Sequence, residues 1–387
     1  MNNQIKAYLG SWNVRGVSHG FTLCSYDADA GTITPELGDL GDGVCVGSVY
    51  LDEERGILYC TDEKPGYPFE RIGGGRIYAF SIDPGTGTLT ELGRSSSYGA
   101  QPSYVTKSKD GKYLLVTNYG SKDAYATTTY RGEDGKVHTR LTYSESNLVL
   151  LKLNPDGSPG EAVDVYPMPG DGPRKFQCTA HAHCVHASPL ADLYAVCDKG
   201  ADRVYFFRID AEKERLVLCP GSPVSTEPGT APRYNVFHPT LPYFYINYEG
   251  RTFVTAYRYD TDGRLEVLGT LNSLPEGEEP RGDDVVQSDF LIDPSGSYIY
   301  DLHRVVNLIT VFRIDRETGM PQPIQRLKLP AATPRGGGLS PDGKHLLVAC
   351  SSGTALLLPI REDGTLGEPV QTLELPTPGT ANFLTLG

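Results

Sequence analysis

Six ionisable side chains stand at matching offsets behind a recurring polar mark in this chain. Counting back 11 residues from Asp210, Asp260 and Asp315 reaches Lys199, Glu249 and Arg304, and the same count from Arg361 reaches Cys350. Counting back 27 from the first three marks reaches His183, Arg233 and Ser288, and counting back 26 from Arg361 reaches Arg335. If the marks are equivalent points of a repeated unit, these residues form two rings around one axis. A charge turned into a narrow shared cavity is costly unless it is paired or binds something. Five basic side chains against the single carboxylate of Glu249 make such a cavity positive, which suits a phosphorylated or carboxylated small molecule. The structural alternative is that Glu249 pairs with Arg233 and Arg304 and only ties repeats together.

The elements that must position these residues are strands. An alternating strand ending in a polar mark, a turn and a second strand recur seven times, for example as GFTLCSYDADAGTITPEL (20–37), RIYAFSIDPGTGTLTEL (76–92) and RVYFFRIDAEKERLVLC (203–219). Successive marks lie 46 to 71 residues apart, and each interval holds a second hairpin such as VYLDEERGILYCTDE or NVFHPTLPYFYINYE. Two hairpins give four antiparallel strands per unit, the content of one propeller blade. The fold expected is an all-β, seven-bladed propeller forming one domain over residues 1–387. AYLGSW (7–12) and NFLTLG (382–387) supply neighbouring strands that close the ring in one blade and remove exposed edges. Excess length falls at 62–75, 121–146 and 162–180, which are expected to be loops at the rim of a site.

Composition narrows the function. The chain is 39% hydrophobic and 21% charged, with no run approaching the roughly 18 apolar residues of a spanning helix. A start of MNNQIKAYLGSW lacks the basic flank and apolar core of a secretory signal, so a cytoplasmic protein without membrane partners is expected. The net charge of −13, with Lys and Arg dispersed, disfavours nucleic acid. A closed acidic ring is expected to be a monomer or a weak homo-oligomer. Eight Cys include no C-x-x-C pair and several sit in apolar strands, which points to reduced buried thiols. The cluster Cys178, His181, His183, Cys184, His186 is expected not to bind zinc, because strand alternation divides it between two faces. Gly73–Gly75 and Gly336–Gly338 lack the Lys-Ser/Thr and helix of a phosphate loop, and neither G-x-S-x-G nor H-E-x-x-H occurs.

The series Arg174, Gln177, His181, His183, Asp198 to Asp202, Pro232-Arg233, Phe237-His238-Pro239, Asn247 to Glu249, Arg304 and Pro334-Arg335 resembles the seven-bladed propeller lactonase family. That family includes bacterial 6-phosphogluconolactonases and the fungal carboxymuconate cyclase. The resemblance spans essentially the whole chain, and it implies an active site of His183, Arg233, Arg304 and Glu249. Three positions depart from the family pattern, at Tyr234, His303 and Gly336.

Opening a lactone needs an activated water, a stabilised oxyanion and an anchor for the rest of the substrate. Glu249 or His183 is expected as the general base, with Arg233 and Arg304 as oxyanion and anion clamps. Lys199, Arg335, His181 and His303 are expected to bind substrate. No cofactor and no metal are expected. The activity expected is hydrolysis of a phosphorylated sugar lactone, 6-phosphogluconolactone first. The alternatives are a carboxymuconate-type cyclase or isomerase using the same cations, and a propeller that only binds a ligand.

Overall fold

The computed structural model describes residues 4–67, 72–121, 125–278 and 287–386. Seven antiparallel sheets succeed one another along the chain. Numbering each blade by its first strand in the chain, the second contains Val46–Asp52, Ile57–Asp62, Arg76–Ile82 and Leu89–Ser96, from the axis outwards. The fourth begins with Ala182–Ala187 and Tyr194–Asp198, the fifth with Pro232–Phe237 and Tyr243–Tyr248, the sixth with Gln287–Ile292 and Tyr298–His303, and the seventh with Pro334–Leu339 and His345–Cys350. The fourth carries one addition to the four-strand pattern, the two-residue strand Val224–Ser225 beside Arg203–Asp210.

The ring closes as its ends foretold. Pro378–Leu386 pairs with Gln4–Ser11 in the first blade, with Ala7 opposite Phe383 and Tyr8 opposite Asn382. Gly387, counted into that strand from the sequence, lies outside the described residues, as do parts of the insertions at 62–75 and 121–146. The described remainder of the longer insertion is a hairpin, Tyr125–Arg131 with Val137–Tyr143.

Apolar faces meet between blades rather than in one central core. Phe206 and Ala195 of the fourth blade pack with Phe244 and Ile246 of the fifth, and Leu115 and Leu150 of the third pack with Val196 and Phe207 of the fourth. Tyrosines fasten the same interfaces. Tyr8, Tyr59, Tyr245 and Tyr300 each donate a hydroxyl bond of 2.6–3.1 Å to a glycine carbonyl in a turn of the next blade. Each ring buries apolar area while its one polar atom is satisfied, which is why strands here use Tyr so freely.

One irregularity repeats. In all seven blades the innermost strand gains one extra residue, relative to its partner, near its start. Such a β-bulge turns a side chain out of the regular alternation and is frequent beside functional sites.

Candidate active site

The bulges produce the first ring of axial residues. Gly47, Ser103, His183, Arg233, Ser288, Arg335 and Gly379 each follow the first paired residue of an innermost strand. The second ring follows the last residue of the neighbouring strand: Trp12, Glu63, Tyr119, Lys199, Glu249, Arg304 and Ser351. Cys350, reached by counting from the sequence, is instead the last paired strand residue, fully buried in the blade.

Nine of these fourteen residues line one cavity of about 400 Å³, together with Gln101 and the Asn13–Arg15 segment. They are His183, Arg233 and Arg335 from the first ring, and Trp12, Glu63, Tyr119, Lys199, Glu249 and Arg304 from the second. Glu249 is the hub. Its Oε2 accepts from Lys199 Nζ at 2.6 Å and Arg233 Nε at 3.2 Å, and its Oε1 accepts from Arg304 Nη2 at 3.0 Å. Burial alone would raise its carboxyl, but Lys199, Arg304 and Arg233 outweigh that and hold it well below the usual carboxylate range. The ion pairs of the structural alternative are therefore real, and they join the fourth, fifth and sixth blades at the wall of an open cavity.

Local contacts fix each member. Asp198 Oδ1 accepts the backbone N–H groups of His181, Gly200 and Ala201, shaping the turn that presents Lys199. Gln177 Nε2 donates to the Lys199 carbonyl at 2.8 Å. Arg233 also donates through Nη1 to the Ser288 carbonyl of the next blade. Burial pushes the Lys199 ammonium down to about 8 despite the neighbouring Glu249. Burial, followed by the Arg233 charge, holds the His183 imidazole well below its usual value, so it is neutral at physiological pH. Its ring meets Tyr119 and Tyr234 edge to face, and its Nδ1 is buried without a partner among the described residues.

A second carboxylate, absent from the sequence expectation, stands in the wall. Glu63 Oε2 accepts from Trp12 Nε1 at 2.6 Å and Arg335 Nη2 at 3.0 Å, and the Arg335 guanidinium lies 3.8 Å from the Trp12 ring centroid. Glycine makes room for both partners. A methyl group on Gly47 would sit 2.8 Å from Glu63 Oε2, and one on Gly379 would sit 2.4 Å from Trp12 Cβ. Five cations, Arg15 among them, thus face two carboxylates rather than one. Among the described residues the Nε atoms of Arg304 and Arg335 are buried with no acceptor.

Two expected ligand residues do not line this cavity. His303 is the last strand residue before Arg304, so it points back into its blade, fully buried 3.1 Å from Asp301 Oδ2. His181 lies outside both rings and buttresses the second from behind: it donates through Nδ1 to the Tyr119 carbonyl at 2.9 Å and stacks on the Tyr119 side chain at 4.2 Å. Cys178, Cys184 and the three neighbouring histidines do not bring three ligand atoms together. The bulge at His183, rather than strict alternation alone, divides them.

Further along the axis a second chamber of about 450 Å³ is lined by Tyr104, His186, Tyr234 and Asp289 among apolar residues such as Phe237 and Leu291. It is the roomier of the two, but Arg335 is its one cation, so the charged chemistry belongs to the first cavity.

A ring of seven four-stranded blades with this charged opening defines a propeller enzyme, and the chain belongs to the lactonase family of seven-bladed β-propellers, whose model, "Lactonase, 7-bladed beta-propeller", matches residues 6–383. It is an enzyme of the lactone-hydrolysing class. Among individual proteins it is 24% identical to the 6-phosphogluconolactonase of Bacillus subtilis over 383 residues, 97% of each chain. It is 26% identical to that of Formosa agariphila over 279 residues, 71% of each chain. The periplasmic gluconolactonase of Pseudomonas aeruginosa shares the fold with a TM-score of 0.85 at 23% identity, covering 99% of this chain and 100% of that one. No helix among the described residues is long and apolar enough to cross a membrane.

Proposed function

We propose that the charged cavity hydrolyses a phosphorylated sugar lactone, with 6-phosphogluconolactone opened to 6-phosphogluconate. The observation that carries this reading is the gathering of Lys199 and four arginines around two carboxylates at one cavity of a protein whose net charge is −13. Cations in excess of their counter-ions favour an anionic substrate, which brings several acceptors. The names of the Bacillus and Formosa relatives support the phosphorylated substrate.

In this reading Arg304 and Arg335 hold the anionic group, while Arg233 and Lys199, already turned towards Glu249, stabilise negative charge developing on the carbonyl oxygen. Water attacks the carbonyl carbon, the acyl to ring-oxygen bond breaks, and the ring oxygen leaves with a proton as a hydroxyl. The new carboxylic acid ionises and releases one proton to solvent. Arg233 and Lys199 are pre-aligned by Glu249, so little reorganisation is needed when charge appears.

The test is proton release above the spontaneous rate with three substrates: 6-phosphogluconolactone, unphosphorylated gluconolactone and a carboxymuconate lactone. The expected order of kcat/KM puts the phosphorylated lactone first. Equal rates for the two sugar lactones would remove the phosphate from the reading, turnover of the carboxymuconate alone would replace hydrolysis by the cyclase chemistry, and no acceleration of any would end it.

A further inference from the structure

Resting on the lactonase reading, we infer that Glu63 is the general base that activates water, with Glu249 serving as a fixed counter-ion that aligns the cations. The argument begins with lone pairs. A base must offer an oxygen that can take a proton from water within hydrogen-bond reach. Both oxygens of Glu249 are committed to cations, Oε2 twice and Oε1 once. Protonating it would also strand Lys199, Arg233 and Arg304 against a neutral acid. Glu63 is built differently. Both bonds it accepts fall on Oε2, and no donor among the described residues meets Oε1. The Trp12 and Arg335 bonds anchor one side of the carboxylate and leave the other for water in the cavity it lines.

The electrostatics run the same way. Burial raises the Glu63 carboxyl above its ordinary value despite Arg335, whereas Glu249 is held far below its own. A base at neutral pH works best with its proton affinity shifted upward, and of the two cavity glutamates Glu63 is the one shifted so. In the reaction Glu63 takes one proton from water as its oxygen bonds to the carbonyl carbon, then returns that proton to the ring oxygen as the acyl bond breaks. Proton and electron pair are both accounted for, and Glu63 ends ionised.

The groups facing Glu63 decide what its pH profile looks like. Arg335, Arg233 and Arg304 line the cavity with Glu63, Glu249 is held well below the usual carboxylate range, and burial holds the His183 imidazole well below its own. Burial pushes Lys199 down to about 8, Arg15 lines the same cavity, and Tyr119 and Cys45 are pushed up by burial. Asp62, also raised by burial, sits behind the ring, bonded to the Cys45 N–H and the Tyr67 hydroxyl. Asp198, pushed up to about 6 by burial, and His181, pushed down to about 4, stand behind Lys199 and Tyr119 and do not line the cavity, so the acid limb in kcat/KM is assigned to Glu63. Its carboxylate is the active form, so activity falls as pH drops through its raised value and is full above it.

The experiment compares kcat, KM and pH profiles between pH 4 and 8 for wild type, Glu63→Gln, Glu63→Asp and Glu249→Gln, each checked by circular dichroism. Glu63→Gln should lose about 10²-fold or more in kcat and lose the acid limb. Glu63→Asp should keep a limb at reduced rate, and Glu249→Gln should keep the limb whatever happens to KM. An acid limb that survives in Glu63→Gln, or vanishes in Glu249→Gln, overturns the assignment while the lactonase reading stands. If Glu63→Gln does not fold, Glu63→Asp decides, and an unchanged kcat there overturns the assignment. A wild type that opens no lactone removes the reading and the base together.

Discussion

At the scale of single residues, the cavity is a balance between charges that would each be costly alone. Glu249 is only 5% exposed and compensates three cations from three blades. Its isosteric replacement by glutamine leaves those cations buried without their counter-ion, a change that costs about 3–5 kcal/mol in comparable networks. Urea unfolding of Glu249→Gln should therefore show a lower midpoint than wild type at an unchanged slope. An unchanged midpoint would mean that the ion pairs are as weakly coupled as surface pairs, against their geometry.

These residues were legible in the sequence only where repeats kept their spacing. His183, Lys199, Arg233, Glu249, Arg304 and Arg335 all reach the cavity, because the fourth to seventh blades preserve the offsets. Trp12, Glu63 and Tyr119 occupy equivalent places in the first three blades, but insertions separate each from its mark, so counting passed them by. The missing signal was the strand end itself: each stands immediately after an alternating strand. His303 shows the converse error, since a residue one place earlier is turned into the blade.

At the scale of strands, the hairpins and ring closure could be read from alternation and turn residues, whereas the seven bulges could not, because one extra residue leaves no mark in a hydrophobic pattern. The bulges also explain the Gly336–Gly338 run, read from sequence only as not a phosphate loop. These glycines let the seventh blade's innermost strand approach the closing strand backbone to backbone. A methyl group on Gly336 would lie 2.4 Å from the Gly379 carbonyl oxygen, and one on Gly338 would lie 2.5 Å from that of Ala381. Neither oxygen can swing aside as a side chain would. Gly338→Ala should destabilise the protein by about 1–3 kcal/mol, seen as a lower thermal midpoint. A midpoint equal to wild type would show that the ring opens at this seam without cost.

At the scale of the whole molecule, a chain of net charge −13 gathers five cations at one cavity on its axis. Closure makes this possible. Residues as distant in sequence as Trp12 and Arg335 stack because the last strand returns to the first blade. The adjoining chamber, walled by Phe237, Leu291 and Tyr234, lacks such a gathering of charge. The most direct measurement is a crystal structure with 6-phosphogluconate bound. Its anionic groups should lie within hydrogen-bond distance of the Arg304 and Arg335 guanidinium groups, with the carboxylate carbon near Glu63. Product seated in the Tyr104 and Asp289 chamber, or off the axis altogether, would contradict the assignment of the charged rings as the place where the lactone opens.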